Sequence, residues 1–219
     1  MRRAHFLRQN RNVEIPSNVI VLDTETRSTE IEPGVYHAQL WFGYAMFTRR
    51  YRGNKWTAGE WLRFEHSADL WNWVESRAFT KRKLYVFSHN LGFDSTVTQA
   101  VRQLQSRGWD LKGAIIDDPP TVLRYRKDRR SIVLMDSLNL FRMSLAQVGE
   151  FTESPKLPMP PQGAAQGVWD AYCRNDVTVL YRALRLYWEQ IEAWDLGNFQ
   201  YTLPAQAFGA FRHRFMQHS

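Results

Sequence analysis

The sequence is poor in cysteine and has no long apolar run. Cys173 is the single cysteine among 219 residues, which excludes an internal disulfide and a cysteine-based zinc cluster. No eighteen consecutive residues are apolar, which excludes a membrane-spanning helix. The basic segment from Met1 to Arg11 lacks the apolar stretch of a secretory signal. These absences favour a reducing compartment, and we expect a cytoplasmic protein.

The composition is that of a folded, basic protein. Apolar residues make up 44% of the chain and aromatic residues 14%, which is enough to fill a core and excludes global disorder. Lys and Arg outnumber Asp and Glu by 29 to 22, giving a formal charge of +7. This excess favours a polyanionic partner such as nucleic acid, although solubility alone is an alternative reason for it.

Short apolar runs predict strands, and amphipathic segments predict helices between and after them. The strands are predicted over 19–22, 37–47, 61–64, 83–88, 122–125 and 131–135. The helices are predicted after Ser67 as an N-cap, over 94–108 and 144–151, and from 168 onward. This order indicates an α/β sheet with helices on both faces. Sites in such sheets form at the carboxyl ends of strands, where Asp23 and His89 lie.

Asp23 and Glu25 end the first predicted strand. Residues two apart in a strand point to the same side, so these carboxylates lie next to each other. Adjacent carboxylates repel each other unless a cation lies between them, and Mg²⁺ prefers oxygen ligands of this kind. The alternative is that both residues simply end the strand and cap a turn.

Asp94, Tyr172 and Asp176 are further candidates. Asp94 follows a predicted strand and starts a helix, where an aspartate is also common as a cap. Tyr172 and Asp176 are four residues apart on the last long helix, on the face that continues with Leu180. An aspartate on this inward face needs either an arginine partner or a metal ion.

Together these segments resemble the DEDDy type of 3′→5′ exonuclease, and most closely the proofreading exonuclease domain of protein-primed, viral and organellar family B DNA polymerases. The main motifs are Asp23-Thr24-Glu25-Thr26, His89-Asn90-Leu91-Gly92-Phe93-Asp94, and Tyr172 with Asp176. Two minor motifs of that family are also present in order, Ser137-Leu138-Asn139-Leu140-Phe141 and Lys156-Leu157-Pro158-Met159.

The resemblance implies a fold and a division of the chain. The fold would be α/β and RNase H-like (DnaQ-like exonuclease), with a mixed five-stranded sheet flanked by helices. A basic arm would cover 1–16, and the exonuclease domain 17–200. The tail, 201–219, resembles the start of a connection between exonuclease and polymerase.

The resemblance also implies a chemistry, the removal of nucleotides from single-stranded DNA ends with two divalent ions, Mg²⁺ or Mn²⁺. The metal ligands would be Asp23, Glu25, Asp94 and Asp176. Tyr172 would orient the attacking water, and Lys156 would neutralise charge on the scissile phosphate or its neighbour.

Other residues would hold the single-stranded nucleic acid. Those implied by the motifs are Thr26, His89, Asn90, Phe93, Ser137 and Leu138. Phe87 either contacts the strand as well or lies in the core. The chain also has two groups of basic residues, one at 126–130 and one formed by Arg49, Arg50, Arg52 and Lys55. Each group either contacts a nucleic-acid backbone or consists of loop side chains that face solvent.

The sequence departs from the polymerase family in one respect, because no Tyr-x-Asp-Thr-Asp polymerase element is present. We therefore expect a stand-alone nuclease or an excised domain of prokaryotic, viral, mobile-element or organellar origin. Two alternatives stay open, an RNA 3′-end exonuclease and a non-catalytic nucleic-acid-binding module. The expected partners are a single-stranded DNA or RNA 3′ end and a polymerase or other replication, repair or defence protein, but no membrane.

Overall fold

The computed structural model describes residues 7–51 and 55–216 and has a mixed sheet at its centre. The strands of the described part are β1 (Asn18–Glu32), β2 (Val35–Tyr51), β3 (Lys55–Trp56), β4 (Glu60–Phe64), β5 (Lys83–Ser88), β6 (Asp110–Ile116), β7 (Thr121–Lys127) and β8 (Arg130–Asp136). The α-helices are α1 (Ser67–Ser76), α2 (Leu91–Val97), α3 (Ala100–Ser106), α4 (Leu145–Phe151), α5 (Gln166–Ala193) and α6 (Leu203–Arg214). A short 3₁₀ helix, Ser137–Asn139, follows β8.

The sheet is parallel at its centre and antiparallel at its edges. Its order is β3-β2-β1-β5-β8-β7-β6, with β4 also paired to β2. Strands β1, β5 and β8 are parallel, so their carboxyl ends lie at one edge. The expectation of five strands is wrong, because the described residues contain eight. Strand β6 is largely exposed and β3 has two residues, so neither carries the apolar pattern of a buried strand.

Two separate cores cover the two faces of the sheet. Side chains alternate along β1, so Val19 and Val21 face α4 and α5, whereas Ile20 and Leu22 face α1 and α3. Each fully buried aliphatic side chain of this kind stabilises the fold by roughly 1.5–3 kcal/mol. The predicted α/β sheet with helices on both faces is confirmed.

Some predicted boundaries are wrong for local reasons. Strands β1 and β2 extend well beyond the predicted runs as a hairpin whose outer half is exposed, so no apolar pattern marks it. The helix predicted over 94–108 is two helices, because Gln99 has a positive φ of 52° between them. His66 rather than Ser67 is the N-cap of α1, and it makes no side-chain capping bond.

The N-terminal segment and α6 contact each other. The Asn10 amide donates to the Arg212 carbonyl at 3.2 Å, and the Gln9 side chain donates to the His213 carbonyl at 3.2 Å. Residues 1–6 of the predicted arm, Arg52 of the predicted basic group and 217–219 of the predicted tail lie outside the described residues. Among the described helices, none has the length and apolar character needed to cross a membrane.

Candidate active site

Strand β1 directs Asp23 and Glu25 toward α5. Both continue the face that carries Val19 and Val21, and both are partly exposed just beyond the part of β1 that pairs with β5. Gly43 on β2 lies opposite Thr24, and a Cβ atom there would stand 2.7 Å from the Asp23 carbonyl oxygen. A glycine is therefore needed for the two backbones to approach at this point.

Helix α5 supplies the facing side of the site. The Cys173 thiol donates a hydrogen bond to the Asp23 carbonyl oxygen at 3.5 Å. One carboxylate oxygen each of Asp23 and Glu25 and the Cys173 sulfur all lie within 4.8 Å of one another. Burial raises the pKa of the Cys173 thiol well above its usual value, so the thiol stays protonated and is a poor ligand for a hard cation.

Asp94 reaches the site from α2. Its side chain is only 3% exposed, and the Thr24 hydroxyl donates to its Oδ1 at 2.6 Å. Burial raises the pKa of Asp94 to about 7 in spite of that hydrogen bond. Burial also raises the pKa of Asp23, and the charges of Asp94, Asp176 and Glu25 raise it further.

Lys156 joins the two candidate residues of α5. Its Nζ donates to the Tyr172 hydroxyl at 2.8 Å and to Oδ2 of Asp176. Burial raises the pKa of Asp176, and the hydrogen bond and charge of Lys156 oppose this. Burial lowers the pKa of Lys156, but its bonds to Asp176 and Tyr172 outweigh that effect and leave it raised. Lys156 is therefore held as a cation beside these two side chains.

The carboxylates fit a hard divalent cation. Oδ1 of Asp176 is buried and has no hydrogen-bond partner among the described residues. Burial, together with the charge of Asp176, raises the pKa of Glu25 to about 7. Neighbouring carboxylates, one of which has a buried oxygen without a hydrogen-bond partner, provide the oxygen ligands that Mg²⁺ and Mn²⁺ prefer. Asp23 and Glu25 lie side by side, and the charges of Asp94 and Asp176 both raise the pKa of Asp23, so the four predicted metal ligands lie in one region. Among the described residues, Lys156 is the one cation that donates a hydrogen bond to any of them.

A second cluster lies beside the acids, where β5 and β8 end. The His89 ring Nδ1 and the Ser137 hydroxyl are 2.9 Å apart, and burial lowers the pKa of His89. Asn90 precedes α2 with a positive φ of 72°, and its side chain is exposed. The His89–Ser137 contact brings together two of the segments predicted to hold the strand.

Asp136 organises this second cluster and is absent from the predicted site. Its carboxylate accepts backbone hydrogen bonds from Asn90 at 3.1 Å, Leu91 at 2.9 Å and Leu138 at 2.9 Å. The carboxylate thereby joins the turn after β5 to the 3₁₀ helix after β8. A sequence signal did exist, because an aspartate that directly follows a predicted strand and precedes a serine is a typical N-cap.

The other residues predicted to contact the nucleic acid differ in how exposed they are. Phe93 is 42% exposed on α2, and Thr26 and Leu138 are partly exposed. Phe87 on β5 is completely buried against Trp188 of α5 and Phe199, so it belongs to the core and cannot touch a bound nucleic acid.

The fold is similar to part of a DNA polymerase. Solved structures of Phi29 DNA polymerase, complexed with primer-template DNA and incoming nucleotides or with single-stranded DNA, superpose with a TM-score of 0.61. The sequence identities are 16% and 17%, over 91% and 90% of this chain. The chain spans about a third of the length of that polymerase, 34% and 35% in the two cases. No family profile and no curated protein matches the sequence.

Proposed function

We propose that this chain is an RNase H-like, metal-dependent 3′→5′ exonuclease that removes nucleotides from single-stranded DNA. The observation that carries the proposal is the pair of adjacent carboxylates, Asp23 and Glu25, whose oxygens lie within 4.8 Å of each other beyond the β5-paired part of β1. Asp94 and Asp176 support it, because their charges raise the pKa of Asp23. The fold similarity to a region of Phi29 DNA polymerase supports it. On this proposal 17–200 form the nuclease domain, 1–16 an arm, and 201–219 the beginning of a connection.

The four carboxylates would hold two divalent cations. Bound there, the cations would neutralise charge on the scissile phosphate and lower the pKa of the attacking water. Asp176 would offer its unpartnered Oδ1, and Asp23 and Glu25 would offer their adjacent carboxylate oxygens. Asp94 would complete the set from α2, with the Thr24 hydroxyl fixing its orientation.

Tyr172 and Lys156 act on the water and the phosphate. Burial raises the pKa of Tyr172, so its hydroxyl keeps its proton near neutral pH. That hydroxyl accepts from Lys156 and can donate its own proton in a hydrogen bond that orients the attacking water. The Lys156 ammonium has three donors, so beside its two present partners one remains for an oxygen of the phosphate.

The neighbouring cluster would position the terminal nucleotides. Asp136 fixes the backbone at Asn90 and Leu138, and the buried Ser137 hydroxyl holds the His89 ring, so that His89, Asn90 and Leu138 present a preformed surface. The exposed ring of Phe93 can stack on a base, which is a contact that tolerates any sequence. Thr26 would contact the strand from β1.

The test is a gel time course on 5′-labelled single-stranded DNA and on RNA of the same sequence, with Mg²⁺, Mn²⁺ or EDTA. We expect DNA to shorten from the 3′ end only when a metal ion is present. The variant Asp23→Ala/Glu25→Ala should lose activity by on the order of 100-fold or more. The control variant Asp69→Ala/Glu150→Ala removes two exposed acids from helices α1 and α4 and should keep the activity of the wild type.

Three outcomes contradict the proposal. Activity that survives in the Asp23→Ala/Glu25→Ala variant would remove the assigned site. Shortening of RNA but not DNA would replace the proposed substrate with an RNA 3′ end. Metal-independent binding of both strands without cleavage would identify a binding module instead of an enzyme.

A further inference from the structure

The opposite edge of the sheet is strongly basic. The amino ends of β5 and β8 lie there, and Ser131 on β8 pairs with Lys83 on β5 and with Arg126 on β7. Lys83 and Arg126 therefore lie on the two strands that flank Ser131, and the turns next to them add Lys81, Arg82 and Arg129. We call these five residues, Lys81, Arg82, Lys83, Arg126 and Arg129, the basic edge.

The basic edge is assembled from segments that are far apart in the sequence. The Lys81 amide donates to the Arg129 carbonyl at 2.9 Å and ties the turn before β5 to the β7–β8 turn. All five residues are exposed, and none has an ion-pair partner in the part of the chain that the structure describes. In contrast, the neighbouring Lys127 and Arg130 are both paired with Glu75. The basic edge therefore carries five positive charges that no ion pair among the described residues offsets, with the exposed Glu14 as the one acid that lines the depression beside them.

Three adjoining depressions follow this edge. One of about 320 Å³ is lined by all five basic residues, and a second of about 500 Å³ shares Arg82 with it and adds Arg49 and Tyr51. A third, of about 260 Å³, shares Lys83 and Arg126 with the first and adds Tyr201. Positive charge alternates here with tyrosine rings, of which Tyr51 is 51% exposed. Cationic grooves with exposed aromatic rings suit a single nucleic-acid strand.

We propose that the basic edge is a second binding site for the substrate, which holds the phosphate backbone of the strand upstream of the 3′ end. This inference rests on the proposed function, because the 3′ end is taken to lie at the acidic site. The five steps of β5 from Lys83 to Ser88 separate the two edges by about 17 Å. Stacked at roughly 3.4 Å per nucleotide, a strand of about four nucleotides spans less than this distance, and the path over the helices that cover both faces of the sheet is longer still.

The test compares strand lengths with Ca²⁺ in place of Mg²⁺, so that a divalent cation screens the acidic site while its larger, more flexible coordination does not support cleavage. The readout is the anisotropy of 5′-fluorescein DNA strands of about 4 and about 20 nucleotides. The variant Arg82→Gln/Arg126→Gln removes two arginines that each line two of the depressions. The control Arg102→Gln/Arg185→Gln removes two positive charges from α3 and α5. Thermal melting of both variants establishes that they are folded.

We expect the basic-edge variant to bind the long strand about five- to ten-fold more weakly at about 50 mM salt. Its plot of log affinity against log salt should be shallower by about 1.4, because two phosphate contacts are lost. Binding of the short strand should stay the same, and the control variant should resemble the wild type. Equal losses in both variants, or an equal loss on both strand lengths, would overturn the proposal.

The two proposals can fail separately. If the wild type cleaves DNA with Mg²⁺ but the basic-edge variant binds both lengths normally, only the second site is refuted. If the wild type never cleaves but its length-dependent binding is lost in the basic-edge variant, only the exonuclease activity is refuted.

Discussion

The Asp23 side chain carries an unfavourable charge when no cation is bound. Burial raises its pKa, and Asp94, Asp176 and Glu25 each raise it further. A carboxyl whose pKa is higher in the folded state than in the unfolded state destabilises the fold once both states are ionised. Near neutral pH and above, the metal-free protein is therefore less stable than its packing alone would make it.

This yields a prediction for Asp23→Asn. At about pH 8 in EDTA the variant should melt about 2 to 6 °C above the wild type, because one buried charge is removed without a change in shape. Adding Mg²⁺ should raise the melting temperature of the wild type and leave the variant nearly unchanged. Differential scanning calorimetry measures both effects. A lower melting temperature for the variant in EDTA would show that the Asp23 charge has a partner other than a metal ion.

The roles of single residues were predictable to different degrees. Asp23, Glu25 and Asp94 follow short buried strands, so their common location could be deduced from the topology of an α/β sheet. The contact of Lys156 with Tyr172 and Asp176 could not, because a loop with several prolines has no periodicity that fixes where its side chains point.

At the level of elements, Asp136 links the ends of two parallel strands. Its carboxylate accepts three backbone N–H groups from segments that share no other side-chain acceptor among the described residues. We predict that Asp136→Ala lowers the free energy of unfolding by about 3 kcal/mol, because buried donors lose a charged acceptor. Urea denaturation measures this loss.

The isosteric variant Asp136→Asn serves as the control. It keeps one acceptor oxygen, so it should lose about half as much stability as Asp136→Ala. If both variants were as stable as the wild type, water would be an adequate substitute for the carboxylate, and Asp136 would not organise the site.

The elements that were predicted are those with buried apolar runs. Strand β5 matches the prediction residue for residue, and α5 buries Leu180, Leu184 and Trp188 at the expected spacing. The outer half of β1 and all of β6 were missed because they are stabilised by backbone pairing while most of their side chains face solvent. Hydrophobic periodicity cannot report a strand that buries neither face.

At the scale of the whole molecule, the parallel strands separate two kinds of charge. Acids collect at the carboxyl ends of β1 and β5, and unpaired cations collect at the amino ends of β5 and β8. The net charge of +7 is therefore a sum over a negative edge and a positive edge and gives the local charge of neither. A polyanion approaching from solution is attracted by the molecule as a whole, but the acidic edge repels its phosphates until a cation is present.

The two cores are connected through the acidic site. Asp94 belongs to α2, which packs through Leu91 into the core on the α1 and α3 side, whereas Asp176 belongs to α5 in the other core. A ligand that binds both carboxylates thus couples the local opening of two otherwise separate cooperative units. We predict that Mg²⁺ slows amide hydrogen exchange in α2 and α5 together, which mass spectrometry can follow. Slower exchange in α5 alone would mean that the halves of the domain open independently, and that the ion joins only one of them.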